Sequence, residues 1–426
     1  MTEELINVRK MGKCSGIALK ATKKITGKFE QKRVDILDAA AALINVNGVK
    51  GMTFSDVARK VGLNTTSVTY YFKKKEQLAA ATFSHSLDRI EGMVDEAAAH
   101  ATPQERCNAH IKATFQRIAD IREGRERPLA VLSDIRALED PLRHQLAHRY
   151  SGIFAKIRGF FGSHADVRDQ ALSTARAHVL IENFFWLPAW INRYSVSDYP
   201  RVEARFKEIF NFGMALDGHG WPVKALPLPA GDGRDKIPDE FIRAATLLIN
   251  RRGYRGASVD RIAAELNVTK GSFYHHLDTK DDLVLACFER SYARVSSAQR
   301  TATDSTGDHG QRLAKSVATL LDAQFFQPFP LLRTTALQAL PTEFRANVID
   351  RSNRMARRFA GMITDGITDG SIRAIDPLIA SQMMMATLNA AYELRRWANE
   401  QPDNETAISL YASTLAFGLY GSAHRE

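Results

Sequence analysis

The sequence predicts an all-α fold made of two similar halves, and three observations carry that expectation. Apolar residues recur at helical spacing, as in Phe115, Ile118, Ile121 or Met355, Phe359, Met362, Ile363. Alternating strand patterns are nearly absent. The third observation is internal repetition: Ala39, Ala40, Leu43, Ile44, Asn45, Gly48, Gly51, Ala58, Ser67, Lys75 and Leu78 fall on Ala244, Ala245, Leu248, Ile249, Asn250, Gly253, Gly256, Ala263, Ser272, Lys280 and Leu283 at one offset of 205 residues. Phe212-Gly213 returns as Phe417-Gly418 at the same offset, so the repeated unit is about 200 residues long.

Each element of the first copy has a local cause. Val34 to Val46 places Ile36, Leu37, Ala40, Leu43 and Ile44 on one face and stops at Asn47-Gly48, a natural left-handed end. Thr53 caps a second helix, Phe54 to Lys60, with Asp56 in its first turn. Gly62 makes the turn, Asn64 caps a third helix from Thr65 to Phe72, and a long helix follows from Glu76 to Ala99. The second copy repeats the plan: Phe241 to Asn250, then Gly253, a Ser258 cap on Val259 to Glu265, Asn267 at the turn, Thr269 capping Lys270 to Leu277, and Asp281 to Ser297. Each helix pair reads as part of a tri-helical DNA-binding head. Trp221 to Pro238, rich in proline and glycine, reads as an extended linker.

Composition narrows the class. The 426 residues are 45% hydrophobic and 25% charged, which excludes wholesale disorder and fibrous architectures. Cys14, Cys107 and Cys287 lie far apart without disulfide or metal-ligand spacing, so a secreted disulfide scaffold is excluded and a reducing compartment is the default. Val179 to Ile191 is the longest apolar stretch, and Glu182, Asn183 and Pro188 break it, too short for a bilayer span. No apolar signal segment opens the chain, so a cytoplasmic protein without a membrane partner is expected. The net charge of +10 asks for an anionic partner. Residues 1–33 concentrate it, with nine basic side chains against three acidic ones, and read as a basic arm, disordered when free, that reaches DNA.

The segment Val268-Thr-Lys-Gly-Ser-Phe-Tyr-His-His-Leu-Asp-Thr-Lys-Asp-Asp-Leu283 resembles the recognition segment of the TetR (tetracycline-repressor) family, and Leu63-Asn-Thr-Thr-Ser-Val-Thr-Tyr-Tyr-Phe-Lys-Lys-Lys-Glu-Gln-Leu78 is a looser version. The resemblance covers roughly residues 33–83 and 238–288. It implies two tandem TetR-like units, each a helix-turn-helix head followed by a helical ligand-binding and dimerisation domain. The expected boundaries are arm 1–29, head 30–76, helical domain 77–220, linker 221–238, head 239–283 and helical domain 284–426.

Family roles then fall on numbered positions. Base-edge contacts would come from Thr65, Thr66, Ser67, Thr69 and Tyr70 in the first head, and from Lys270, Gly271, Ser272, Tyr274 and His275 in the second. Phosphate contacts would come from Thr53, Tyr71 and Lys75, and from Ser258, His276 and Lys280. Thr69 departs from the tyrosine usual in the family, and Asp260 puts an acid where it would repel phosphate unless it accepts from a cytosine amine. An apolar effector pocket would draw on Phe115, Ile118, Leu132, Phe184, Trp186, Phe288, Tyr292, Phe325, Phe359 and Met384, all of which also suit an ordinary core. The last two helices of each unit, Arg168–Tyr194 with Val202–Leu216 and Pro377–Glu400 with Glu405–Tyr420, match the family's four-helix dimer interface. The expectation is an intramolecular pseudo-dimer on a double-stranded DNA operator, with a homodimer of chains as the alternative.

His144 and His148 are spaced for a metal but lack a third ligand, and adjacent His275-His276 point to different faces, so no metal and no cofactor are expected. No nucleophile elbow, P-loop or dinucleotide fingerprint appears, and the chain is not read as an enzyme. Repression relieved by a small effector is the family's commonest pattern. A helical adaptor with one or both heads degenerate is the competing reading.

Overall fold

A computed structural model describes residues 19–162, 166–216, 221, 224–228, 237–271, 273, 279–333, 340 and 342–421, with backbone alone at 19–26, 255, 342 and 343. The first unit contains α1 (Leu19–Gly51), α2 (Phe54–Lys60), α3 (Thr65–Tyr71), α4 (Lys75–Ala98), α5 (Pro103–Arg122), a 3-10 turn at Leu132–Ala137, α6 (Leu142–Arg158), α7 (Val167–Trp190) and α8 (Tyr199–Phe212). The second contains α9 (Asp239–Gly256), α10 (Val259–Glu265), α11 (Lys280–Thr303), α12 (His309–Phe325), α13 (Thr342–Thr368), α14 (Pro377–Ala390), α15 (Arg395–Asn399) and α16 (Asn404–Ala416). Among the described residues the only extended pairing is a single antiparallel bridge, Ala215 to Ile372. No helix there is long and apolar enough to cross a membrane.

The local signals act as their chemistry dictates. Gly48 and Gly253 adopt φ of 69° and 72° and break the helical path inside α1 and α9. Thr53 accepts from the Asp56 amide at 3.1 Å, and Ser258 from the Arg261 amide at 3.3 Å. Gly62 takes φ 65°, and Asn267, at the same place in the repeat, takes φ 54° as the only described non-glycine residue with positive φ. Thr102 and Glu105 close a capping box on α5.

Four differences from the sequence reading have physical causes. The arm expected at 1–29 is helical from Leu19, because nothing between there and Val34 forces a stop; residues 1–18 lie outside the described set. Part of the 221–238 linker is packed: Trp221, Leu226 and Leu228 are half-buried against the core, and the Leu226 amide donates to Thr319 Oγ1 at 2.9 Å. α11 runs on to Thr303, six residues past the expected end. The helix expected at 377–400 breaks after Ala390 into a 3-10 turn at Ala391–Leu394 before α15 resumes.

The two units meet through α7 and α8 against α14 and α16. The crossing of the α8 and α16 ends is governed by Gly213 (φ 68°) and Gly418 (φ 73°). The Met214 amide donates to the Leu415 carbonyl at 3.1 Å, and the Leu419 amide to the Phe210 carbonyl at 2.7 Å. These two bonds connect positions related by the 205-residue offset in reciprocal fashion, the pattern of a two-fold contact. A Cβ on Gly213 would lie 2.2 Å from the Ala416 carbonyl oxygen, and one on Gly418 2.5 Å from that of Phe210. Side chains reinforce the contact: Asn183 donates to Thr387 Oγ1 (3.1 Å), Trp186 to Gln382 Oε1 (3.2 Å) and Trp397 to the Ala171 carbonyl (3.2 Å).

One apolar core runs from the first head through both helical bodies, while a second cluster joins the second head to its own body around Phe241, Ile262, Phe273, Leu283, Leu332 and Val348. Cys107 and Cys287 are buried within these cores, and burial pushes both thiols up to about 12. His110 is buried edge-on to Phe184 at 4.9 Å, and desolvation lowers it from its usual 6.5 to about 4, so it sits there neutral.

Gly213→Ala is expected to destabilise the chain by about 3 kcal/mol or more, because its new methyl meets fixed backbone at a positive φ. Gly361→Ala, whose Cβ would meet nothing within 4 Å, should be neutral or stabilising by about 0.4–1 kcal/mol. Thermal and urea unfolding of the two variants measure the contrast.

Candidate nucleic-acid interface

The residues expected to contact DNA in the first head lie mostly on α3. Asn64 accepts from the Ser67 amide (2.7 Å) and hydroxyl (2.8 Å), which fixes the start of the helix. Val68 is fully buried and anchors the helix to α2, and this leaves Thr65, Thr66 and Tyr70 exposed with Ser67, Thr69 and Tyr71 half-buried beside them. Thr69 turns its hydroxyl back to the Thr66 carbonyl at 2.9 Å. Tyr71 is stacked on Phe29 at 4.6 Å, with Tyr70 edge-on to both rings, so the helical extension of α1 lies alongside α3. A shallow groove between them is lined by Lys32, Asn64, Thr66, Ser67, Tyr70 and Tyr71. Hydroxyls, one amide, a protruding tyrosine and a lysine are among the group types that bond base edges and phosphate oxygens in protein–DNA interfaces.

In the second head Lys270 and Gly271 are exposed at the start of the recognition helix, and Phe273 is buried beneath it. Ser272, Tyr274, His275 and His276 lie outside the described residues. Asp260 forms an ion pair with Lys270 at 3.0 Å, which neutralises the acid that the sequence placed awkwardly. Both long helices begin with a lysine in matched roles. Lys75 donates to the Lys50 carbonyl at 3.0 Å, and Lys280 donates to the Tyr254 carbonyl while lying 3.9 Å from the Tyr254 ring centroid. These lysines therefore tie the long helix of each unit to the end of its first helix, whatever they do toward phosphate. Thr53 and Ser258 are spent as caps, yet Thr53 stays exposed and Ser258 half-exposed.

A latch that sequence reasoning passed over joins each head to its body. Asn45 donates to the Leu129 carbonyl and accepts from the Val131 amide, both at 2.8 Å, and Ser86 accepts from the Ala130 amide at 2.9 Å. Asn250 donates to the Leu331 carbonyl (3.0 Å) and accepts from the Arg333 amide (2.9 Å), and Ser291 accepts from the Leu332 amide (2.8 Å). The signal was present: Asn45/Asn250 and Ser86/Ser291 share the 205 offset, while Pro128-Leu129 returns as Pro330-Leu331 three residues out of that register.

The second latch abuts an ionic cluster between the units in which His178, Glu182 and Arg333 are buried while Arg136 is half-buried and Glu393 reaches the surface. Glu393 pairs with Arg136 and Arg333, Arg333 lies 3.9 Å from Glu182, and His178 Nε2 lies 3.8 Å from Glu393. Tyr411 donates to the Thr387 carbonyl (3.1 Å), which leaves its oxygen to accept from His178 Nδ1 (3.0 Å). Burial opposes ionisation of Glu393, but Arg333, His178 and Arg136 outweigh it and hold the carboxyl well below its usual range. Burial, and then the neighbouring Glu393 charge, raise Glu182. His178, Glu182 and Glu393 are close enough for one cation, but Arg136 and Arg333 already supply the positive charge at those carboxylates. His144, by contrast, is exposed and faces Asp140 at 3.3 Å, and His148 is exposed too, a solvated face.

The residues expected around an apolar effector are mostly core. Phe115, Phe325, Phe359 and Met384 are fully buried or nearly so, Phe288 is buried in the second head's core with Tyr292 stacked at 6.1 Å, and Ile118, Leu132, Phe184 and Trp186 are half-buried. Phe115 meets Phe206 at 5.5 Å, Phe325 meets Tyr411 at 5.4 Å, and Trp186 serves the contact between units.

Comparison with known proteins agrees with this geometry. Residues 36–82 and 241–287 each match the model of bacterial regulatory proteins of the tetR family, and residues 306–397 match a tetracyclin repressor-like C-terminal domain. The chain belongs to the TetR family and carries two copies of its DNA-binding domain. It is 35% identical over 66 residues to the transposon Tn10 TetC protein of Escherichia coli, a match covering 16% of this chain and 34% of that one. It is 35% identical over 86 residues to the transcriptional regulator BetI of Rhizobium meliloti (20% and 42%), and 34% over 89 residues to the transcriptional activator FasR of Mycolicibacterium smegmatis (21% and 41%). The chain thus spans less than half the length of these curated relatives. Among solved structures, the TetR-family regulator PfmR from Thermus thermophilus aligns at 22% identity with a TM-score of 0.34, covering 42% of this chain and 97% of that one.

Asn250→Ala strips partners from a buried carbonyl and a buried amide, so it is expected to cost on the order of 2–4 kcal/mol. Hydrogen exchange should report the loss at Leu332 and Arg333 before it reaches the α7–α14 contact.

Proposed function

We propose that this chain is a ligand-responsive transcriptional repressor in which one molecule presents two non-identical recognition helices to an imperfectly palindromic DNA site. The observation that carries the reading is the reciprocal pair of backbone bonds, Met214 to Leu415 and Leu419 to Phe210, which joins the units in a two-fold-like way. Two heads on a two-fold-like base suit half-sites about one DNA turn apart, roughly 34–36 Å. Their different surfaces, Thr65-Thr66-Ser67 against Lys270-Gly271-Ser272, call for different half-sites. The extension of α1, with Lys28 and Lys32 on the same segment as Phe29, adds phosphate contacts beside the first head.

Regulation follows from linkage. A small, largely apolar effector housed in the helical bodies lowers operator affinity by no more than its preference for the conformation with misaligned heads. The latches at Asn45 and Asn250 are the route by which a change in the bodies reaches the heads. Nothing in this reading requires catalysis, a cofactor or a membrane.

Selection from a random duplex pool followed by gel shifts tests it. Thr66→Ala with Tyr70→Ala should weaken binding at least tenfold and relax only one half-site, while Lys270→Ala with Tyr274→Ala should relax only the other. A wild-type chain that selects no sequence over bulk DNA overturns the proposal and favours the adaptor reading.

A further inference from the structure

The two heads, the segment between α5 and α6 and the start of α6 enclose a cleft of unusual charge. Lys50 at the end of α1 lines it from the first head, and Arg252 of α9 and Arg261 of α10 line it from the second. Arg136, Glu139 and Arg143 of the first unit and Ser258 of the second also line it. Five cations thus face one carboxylate. Arg143 is paired with Asp140 at 2.6 Å, Arg136 with Glu393, and Arg261 donates to the Gly256 carbonyl at 2.8 Å. Lys50 and Arg252 have no acidic partner among the described residues, and both are exposed.

Such an arrangement costs free energy through like-charge repulsion, and a concave wall focuses the resulting field. Its guanidinium forks match phosphate oxygens in shape and charge. The cleft also adjoins the second latch, since Arg136 donates to the Asn250 carbonyl at 3.2 Å as well as pairing with Glu393.

We propose that this inter-head cleft is a phosphate-binding site, distinct from both recognition helices and from any apolar effector pocket. The phosphate comes either from the DNA backbone running between two half-sites or from a free phosphorylated small molecule. The first source rests on the regulator reading, and the second does not.

The test compares the full chain with a Lys50→Gln/Arg252→Gln double variant by two measurements. Calorimetry with inorganic pyrophosphate at low salt probes the free anion. Titration of a 40-base-pair random-sequence duplex over a salt series probes the backbone. A free-anion site predicts pyrophosphate binding that the double variant weakens at least tenfold. A backbone site predicts no pyrophosphate binding, but a log K against log salt slope that flattens by about 2, or roughly 0.9 for each lost phosphate contact. Both substitutions are on exposed side chains, so an unchanged melting temperature is expected, and Arg143→Gln on a separate helix gives an independent reading. Variants equal to wild type in both measurements overturn the proposal. A chain that binds pyrophosphate but no DNA keeps this site while losing the regulator reading; one that binds DNA with an unaltered slope and ignores pyrophosphate does the reverse.

Discussion

The structure hangs on a place where two helix ends cross with no room for a side chain. Gly213 and Gly418 let the backbones of α8 and α16 approach until the Met214 amide reaches the Leu415 carbonyl and the Leu419 amide reaches that of Phe210. Each glycine also needs its positive φ to turn the chain out of the helix. Because the two bonds are reciprocal, the crossing sets the relation of the two units about a local dyad. The neighbouring bonds from Asn183, Trp186 and Trp397 then extend a contact whose geometry the glycines have fixed.

From that base the heads are positioned in unequal ways. The first head shares the apolar core of the bodies, so its orientation follows from packing. The second packs on its own body through a separate cluster that takes in Leu332 and Val348, and polar ties add to it: Asn250 to the 331–333 segment, Lys280 to the Tyr254 carbonyl, and Arg136 from the opposite unit to the Asn250 carbonyl. The ionic cluster of Arg136, Arg333, Glu182, Glu393 and His178 sits where that cross-unit tie begins. Burying several charges rarely adds stability over an apolar alternative, but it penalises wrong registers heavily. That cost structure suits a junction that fixes how the two units meet.

Much of this was legible in the sequence because it rests on local chemistry. The caps at Thr53 and Ser258, the breaks at Gly48 and Gly253, and the turn residues Gly62 and Asn267 act within a few residues of themselves, and the repeat register doubled each signal. The echo of Gly213 at Gly418 was visible, but its reason was a contact across some two hundred residues. The cluster was hidden for the same reason. Glu182 read only as an interruption of an apolar stretch, His178 carried no signal of its own, and Glu393 fell within a helix that the structure breaks after Ala390. The helical start at Leu19 was missed because a basic stretch resembles a solvated tail until Phe29 finds Tyr71 to stack on. The Asn45 and Asn250 latches repeat faithfully, yet an asparagine has no assigned role until its partner loop is known.

If the covalent duplication does the work that two subunits do elsewhere in the family, the chain count on DNA must reflect it. Light scattering of the protein bound to its selected duplex measures that count directly. One chain of 47.5 kDa per site, protected across both half-sites, is the expected result. An obligate complex of two chains with four heads on a single site would contradict it.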